Sequence, residues 1–375
     1  MKVLLFGNTD WYLYNFRLPL AKKLRDMSFE VVMVSPPGKY GEKIKSEGFR
    51  WLPVAMNRRS VNPISEFFVL KELIKLYKNE KPDLVHHFTI KSVVYGSVAA
   101  RFSGVKNVVN AVAGLGFVFT NESLFAKILR PFVKSILKFS MDTDNSRLIL
   151  QNPDDQALFV ASKLIDPDHI RLIRGSGVNT NRFEPVKNNG GNDVVNVLLA
   201  TRLLWDKGIR EFIDAVRIIK NTHKPVNFLL AGAPDDGNPA SVQNEEIIKW
   251  VNEGLVESLG HIENIESVLT NVDIVVLPSY REGLPRILLE AASMGLPLVS
   301  TDVPGCREIV KNNINGLLVP VKDSKSLAVA IEYLIDNPIE RSRMGRAGRE
   351  MVLNEFDEKI VIDDTIDVYR EVLSL

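Results

Sequence analysis

The chain has 375 residues, enough for two domains rather than one. Its 47 Lys and Arg stand against 46 Asp and Glu, which excludes the broad basic field of a nucleic-acid binder, and its single cysteine, Cys306, excludes a disulfide framework or a cysteine-rich metal site. The apolar start is too short for a signal peptide and no run reaches about 18 apolar residues, so a cytoplasmic chain with no bilayer span is expected.

In chain order, apolar runs alternate with helical periodicity, the grammar of parallel α/β sheets. Residues 2–6, 30–35, 84–87, 108–112, 147–151 and 171–174 read as strands, and 16–27, 64–79 and 92–103 as helices among them. Residues 123–141 read as a further helix with Lys127, Arg130, Lys134 and Lys138 on one stripe and an apolar face opposite. Such a segment is either an interfacial membrane helix or a core helix with a solvated basic face. Residues 184–193, polar and rich in Gly and Asn, read as a linker. The pattern then repeats, with strands at 196–200, 227–231, 256–259, 274–277, 297–301 and 316–319. The expectation is two doubly wound domains, 1–186 and 187–357, followed by a terminal segment 358–375 whose helix spans 358–373.

The richest stretch is Ser279-Tyr280-Arg281-Glu282-Gly283-Leu284-Pro285, which follows an apolar strand, with Glu290 eight positions after Glu282. Pro285 suits a first helical turn, placing Glu282 just before a helix and Glu290 inside it. Backbone N–H groups at such a helix start attract phosphate, which makes the turn Gly283-Leu284-Pro285 a donor-side candidate, and the two carboxylates suit hydroxyls. Arg202 and Lys207 follow the strand at 196–200, at the edge where open α/β sheets bind ligands. Arg brings a planar fork for phosphate oxygens, and Lys a point charge. After the first strand, Asn8 to Asn15 lead toward Arg17, which is either an anion ligand or a solvated helix residue. Asp142 and Asp144 form an Asp-x-Asp, but no donor-site strand precedes them, so no metal is assigned.

Glu282 with Glu290 resembles the E-x7-E signature of retaining family-4 glycosyltransferases, and Arg202 with Lys207 resembles their R-x4-K pair. The resemblance runs nearly end to end and implies the GT-B fold: two Rossmann-like domains facing across a cleft, the first for acceptor and the second for nucleotide sugar. It implies that the last helix crosses back to the first domain. It makes Arg202, Lys207 and Glu282 the catalytic set, and Glu290 a ribose ligand. It places Gly232, His261 and Ile262 at the donor, the latter two beside the nucleobase, and Ser176 and Gly177 in the turn at the hinge. Cys306 falls in a Pro-Gly-x-x-Glu loop near the donor, although a small buried residue is the simpler reading.

The loops holding His87 and Lys91, and Gly114 and Gly116, are similar to a bacterial branch of CapM type that builds capsule, O-antigen and protein-linked glycans. That branch includes transferases extending diacetylbacillosamine-diphosphoundecaprenol. The resemblance therefore implies Asn15, Arg17, His87, Lys91, Gly114 and Gly116 on the acceptor side. It implies a UDP-sugar as substrate, no cofactor, a polyprenyl-diphosphate-linked saccharide as acceptor, and peripheral attachment at the inner membrane face. Many family members carry a His where this chain has Ala113, which leaves room for an N-acetylated amino sugar. The alternatives are a GT-B enzyme of the UDP-N-acetylglucosamine 2-epimerase kind and a catalytically silent nucleotide-sugar-binding protein.

Overall fold

The computed structural model describes residues 1–57, 62–112, 134–135, 138–139, 145–163, 165–185, 194–222, 224–235 and 237–375. They divide into two units. Met1–Ser176 joins Lys359–Leu375 in the first, and Gly177–Glu358 forms the second.

The first unit is built on β1 (Lys2–Phe6), β2 (Glu30–Ser35), β3 (Arg50–Pro53), β4 (Leu84–Phe88), β5 (Asn107–Val112), β6 (Ser146–Leu150) and β7 (Ile170–Leu172). These pair in parallel in the order β3-β2-β1-β4-β5-β6-β7. Strands covered by helices on both faces read as unbroken apolar runs, and all five residues of β4 are buried. β3 carries Arg50 and Pro53, which hide it in the sequence; its edge position tolerates the proline. The helix expected from residue 16 starts earlier, at Asp10, because Thr9 accepts a hydrogen bond from the Tyr12 N–H at 3.0 Å and caps it.

The second unit carries β8 (Val195–Ala200), β9 (Val226–Ala231), β10 (Glu257–Gly260), β11 (Ile274–Leu277), β12 (Leu298–Thr301) and β13 (Gly316–Val319). Their order is β10-β9-β8-β11-β12-β13, again parallel. In each sheet the order turns back once, between β1 and β4 and between β8 and β11. Ligands bind outside the strand carboxyl ends at such a switch point.

The expected boundary at 186 moves to Ser176/Gly177. Val178 forms a bridge with Asp357, and Val178 and Phe183 are buried in the second core, so the chain has joined that unit well before the polar stretch. Residues 186–193 of the expected linker lie outside the described residues. The helix Glu358–Leu373 belongs to the first unit, where Val361, Ile366, Val368, Tyr369 and Val372 enter the core. Among the described residues no helix is long and apolar enough to cross a membrane.

Candidate active site

The loops after β8 and β11 flank the switch point of the second sheet. After β8 the chain passes Arg202 and makes a 3-10 turn, Trp205–Lys207. After β11 it passes Ser279 and Glu282 to the helix Arg286–Ser293. Pro285 sits one residue before this helix as its N-cap, not inside the first turn, and Glu290 lies within the helix. Gly208 locks the two loops together. Its φ is +73°, and a Cβ there would stand 2.1 Å from the Pro278 carbonyl oxygen.

That crossing brings the two motifs into contact. Lys207 Nζ donates to Glu282 Oε1 at 2.7 Å, and Ser279 Oγ donates to the same oxygen at 2.7 Å. Both charged side chains are mostly out of water, 13% and 15% exposed. An ion pair so placed is strained by desolvation yet costly to break from one side. Arg202 is half-exposed, and its Nη1 donates to Asp235 Oδ2 at 3.1 Å. Glu290 is buried and accepts from Arg286 Nε at 2.7 Å. Burial pushes the Glu290 carboxyl above its usual range, with Arg286 pulling the other way.

A cavity of about 390 Å³ is lined among others by Arg202, Gly232, Asp235, His261, Ile262 and Glu290. Gly232 is required where the β9 loop crosses the β8 loop: at φ +140°, a Cβ would stand 1.8 Å from the Thr201 carbonyl oxygen. The cavity presents a cation, a carboxylate and apolar walls together, the mixture that a nucleotide needs. Cys306 is fully buried, and burial pushes its thiol up to about 12, which leaves it inert.

In the first unit the expected acceptor residues fare differently. Arg17 is buried rather than solvated: its Nη2 donates to Tyr12 Oη at 2.8 Å, and its guanidinium lies 4.3 Å from the Phe88 ring centre. Its buried Nε has no partner among the described residues. Asn15 stands inside the first helix, with Nδ2 donating to the Trp11 carbonyl at 2.9 Å. His87 is not an acceptor ligand. Its Nδ1 meets Asn110 Oδ1 at 2.8 Å and its Nε2 meets Tyr77 Oη at 3.1 Å, so both nitrogens are engaged in the core. His86 is buried as well, with Nδ1 2.6 Å from Tyr369 Oη. Desolvation holds both imidazoles neutral. Lys91 lies in the first turn of the helix Ile90–Ser103 rather than on a loop, and its Nζ is 2.8 Å from Glu66 Oε1. Ala113, Gly114, Gly116, Lys127, Arg130, Asp142 and Asp144 lie outside the described residues, whereas Lys134 is half-buried and Lys138 exposed. Ser176 and Gly177 fall at the boundary of the two units.

Residues 179–351 match the family model described as glycosyl transferases group 1, and residues 2–152 match that described as glycosyl transferase 4-like. The chain belongs to the glycosyltransferases. This glycosyltransferase is 28% identical to the N,N'-diacetylbacillosaminyl-diphospho-undecaprenol alpha-1,3-N-acetylgalactosaminyltransferase of Campylobacter jejuni, over 100% of this chain and 99% of that one. It is 29% identical to the UDP-Gal:alpha-D-GlcNAc-diphosphoundecaprenol alpha-1,3-galactosyltransferase of Escherichia coli, over 84% of this chain and 82% of that one. In fold it is similar to the crystal structure of Anabaena HepE in complex with UDP, with a TM-score of 0.81 at 18% identity over 99% of this chain and 100% of that one. The fold is GT-B.

Sequence reasoning missed two partners in the glycosyltransferase. Asp235, which holds Arg202, follows the Ala231-Gly232-Ala233-Pro234 turn by one position, and its place directly after a β9 turn was the available signal. Arg286, which holds Glu290, is four residues before it on one helix face, a spacing that favours an ion pair.

Proposed function

We propose that the protein transfers a sugar from a UDP-sugar to a saccharide carried on polyprenyl diphosphate, with retention at the anomeric carbon and without a metal. The observation that carries this reading is the Lys207–Glu282 contact, made by the loops after β8 and β11 at the switch point, on the same sheet as a cavity lined by Arg202 and Glu290. Arg202, Lys207 and the backbone of the turn at Gly283-Leu284-Pro285 face the leaving diphosphate, where fixed positive charge lowers the barrier most. The bond from the anomeric carbon to the donor phosphate breaks as the acceptor hydroxyl bonds to the same face. The hydroxyl proton passes to the departing phosphate oxygen, so the enzyme supplies no nucleophile. Glu282 positions the reacting sugar through its hydroxyls, and Glu290 holds the ribose. Arg17, with an unpartnered buried Nε, offers the first unit's charge to the acceptor diphosphate. The diphosphoundecaprenol acceptors in the names of the two relatives support that class of acceptor, and the absence of the usual His at Ala113 favours an N-acetylated amino sugar as donor. A lipid-borne acceptor sets the enzyme against the inner face of the cell membrane.

Incubation with a panel of UDP- and GDP-sugars, alone and with a short-chain polyprenyl-diphosphate saccharide, tests the reading. Transfer only from a UDP-N-acetylhexosamine is expected; no transfer from any UDP-sugar sinks it. Activity persists in excess EDTA, because two cations replace the metal at the diphosphate; loss in EDTA with recovery on magnesium or manganese overturns this.

Glu290 gives a pH signature. Its carboxyl takes up a proton at higher pH than a solvated glutamate, so affinity for the UDP-sugar falls as pH is lowered toward the acid range. Glu290→Gln removes that slope and raises KM more than it lowers kcat, since a ribose contact is largely uniform binding. Calorimetry across pH decides: identical slopes for wild type and variant exclude Glu290 from the ribose.

A further inference from the structure

The helix Pro63–Glu80 of the first unit shows the surroundings two very different faces. Its buried side carries Val69, Leu73 and Tyr77. Its outward side begins with Ile64, Phe67 and Phe68, which are 71%, 63% and 61% exposed. Lys71, Lys75 and Lys78 continue the same face and are all exposed. At 3.6 residues per turn these six side chains fall within one third of the helix circumference. No acidic side chain interrupts them. Glu66 points inward to Lys91, and Glu72 stands at the rim, accepting from the Ala55 N–H at 3.3 Å. A chain of net charge +1 thus concentrates three lysines, with no ion pair among the described residues, behind an exposed aromatic pair.

We infer that this face docks on an anionic lipid bilayer, with Ile64, Phe67 and Phe68 entering the boundary between headgroups and acyl chains and the three lysines facing the lipid phosphates. Aromatic rings leading a lysine row is the composition of an interfacial helix. A protein partner is the poorer fit, because lysine is depleted from protein interfaces. The position serves the chemistry as well. In a parallel α/β unit the helices start at the carboxyl edge of the strands, and the Glu66–Lys91 pair joins the first turn of this helix to the first turn after β4. The aromatic wedge therefore sits at the edge of the first sheet where its switch point opens. The inference rests on the membrane reading above and adds the surface that meets the lipid, separate from residues 123–141.

The test uses the full chain, sedimented with phosphatidylcholine vesicles with and without phosphatidylglycerol. Wild type binds the anionic vesicles, less so in high salt. The triple variant Lys71→Glu, Lys75→Glu, Lys78→Glu lowers the partition coefficient at least about a hundredfold. The pair Phe67→Ser, Phe68→Ser lowers it about tenfold or more. Unchanged thermal midpoints and donor hydrolysis show that both variants remain folded. Vesicle binding equal to wild type in both variants sinks this inference and leaves attachment by another surface intact. Failure of wild type to bind either vesicle sinks the membrane reading with it. Independently, Phe68→Trp shifts its emission to the blue on anionic vesicles and is quenched by brominated lipid; an unshifted emission overturns the docking face.

Discussion

Lys207→Ala lowers kcat/KM for sugar transfer about 30- to several-thousand-fold, the effect of removing one side of a buried charged contact. The same substitution lowers the unfolding midpoint, because among the described residues Glu282 then keeps the Ser279 hydroxyl, at 2.7 Å, as its side-chain donor and retains its charge out of water. Arg202→Ala separates the two effects. Its pair with Asp235 is half in solvent, so stability changes by no more than about 1 kcal/mol while turnover falls on a scale like that of Lys207→Ala. Lys207→Ala combined with Glu282→Gln recovers the midpoint without recovering the rate. Steady-state kinetics beside thermal unfolding of the four proteins checks this, and near-normal rates in both single variants would remove the two cations from the mechanism.

Gly208→Ala destabilises the second unit by about 3 kcal/mol or more and abolishes transfer together with it. The residue stands at φ +73°, and its missing side chain is the space that the Pro278 carbonyl occupies. One added methyl drives the β8 and β11 loops apart, and with them Lys207 from Glu282. Denaturant unfolding and kinetics on the same preparation decide the matter. A variant with native stability and rate shows that the crossing of these loops does not place the ion pair.

Most strands were legible because a sheet covered on both faces writes itself as an uninterrupted apolar run: residues 2–6, 30–35, 274–277 and 316–319 match the observed strands residue for residue. β3 was not, since an edge strand needs no such run and Arg50-Trp-Leu-Pro53 has none. The Arg202/Lys207 and Glu282/Glu290 motifs were legible as candidates through their charge and spacing. The sequence does not say that Lys207 and Glu282 touch, because that contact depends on a glycine letting two loops cross. The first unit was read less well for a related reason. A charged or imidazole side chain after a strand looks the same in sequence whether it meets a ligand or a neighbour. Tyr77, Asn110 and Tyr369, the groups that claim His87 and His86, arrive from other elements at separations of 10, 23 and 283 residues. The boundary at 186 was misplaced because Gly and Asn mark flexible composition, whereas the crossing is set by Val178 bridging to Asp357.

The return of the last helix to the first unit makes Gly177–Glu358 an insertion within a discontinuous one. On the ribosome the second unit emerges whole and is free to fold while the first still waits for Val361, Ile366, Val368, Tyr369 and Val372. The first unit thus completes its core only after Gly177–Glu358 has been made. A chain ended before residue 359 therefore carries a finished second unit on an unfinished first one, whose open apolar face marks it for chaperones and proteases. The helix Glu358–Leu373 acts in this way as a late seal on the first unit, closing a core whose other elements are all made before the second unit begins.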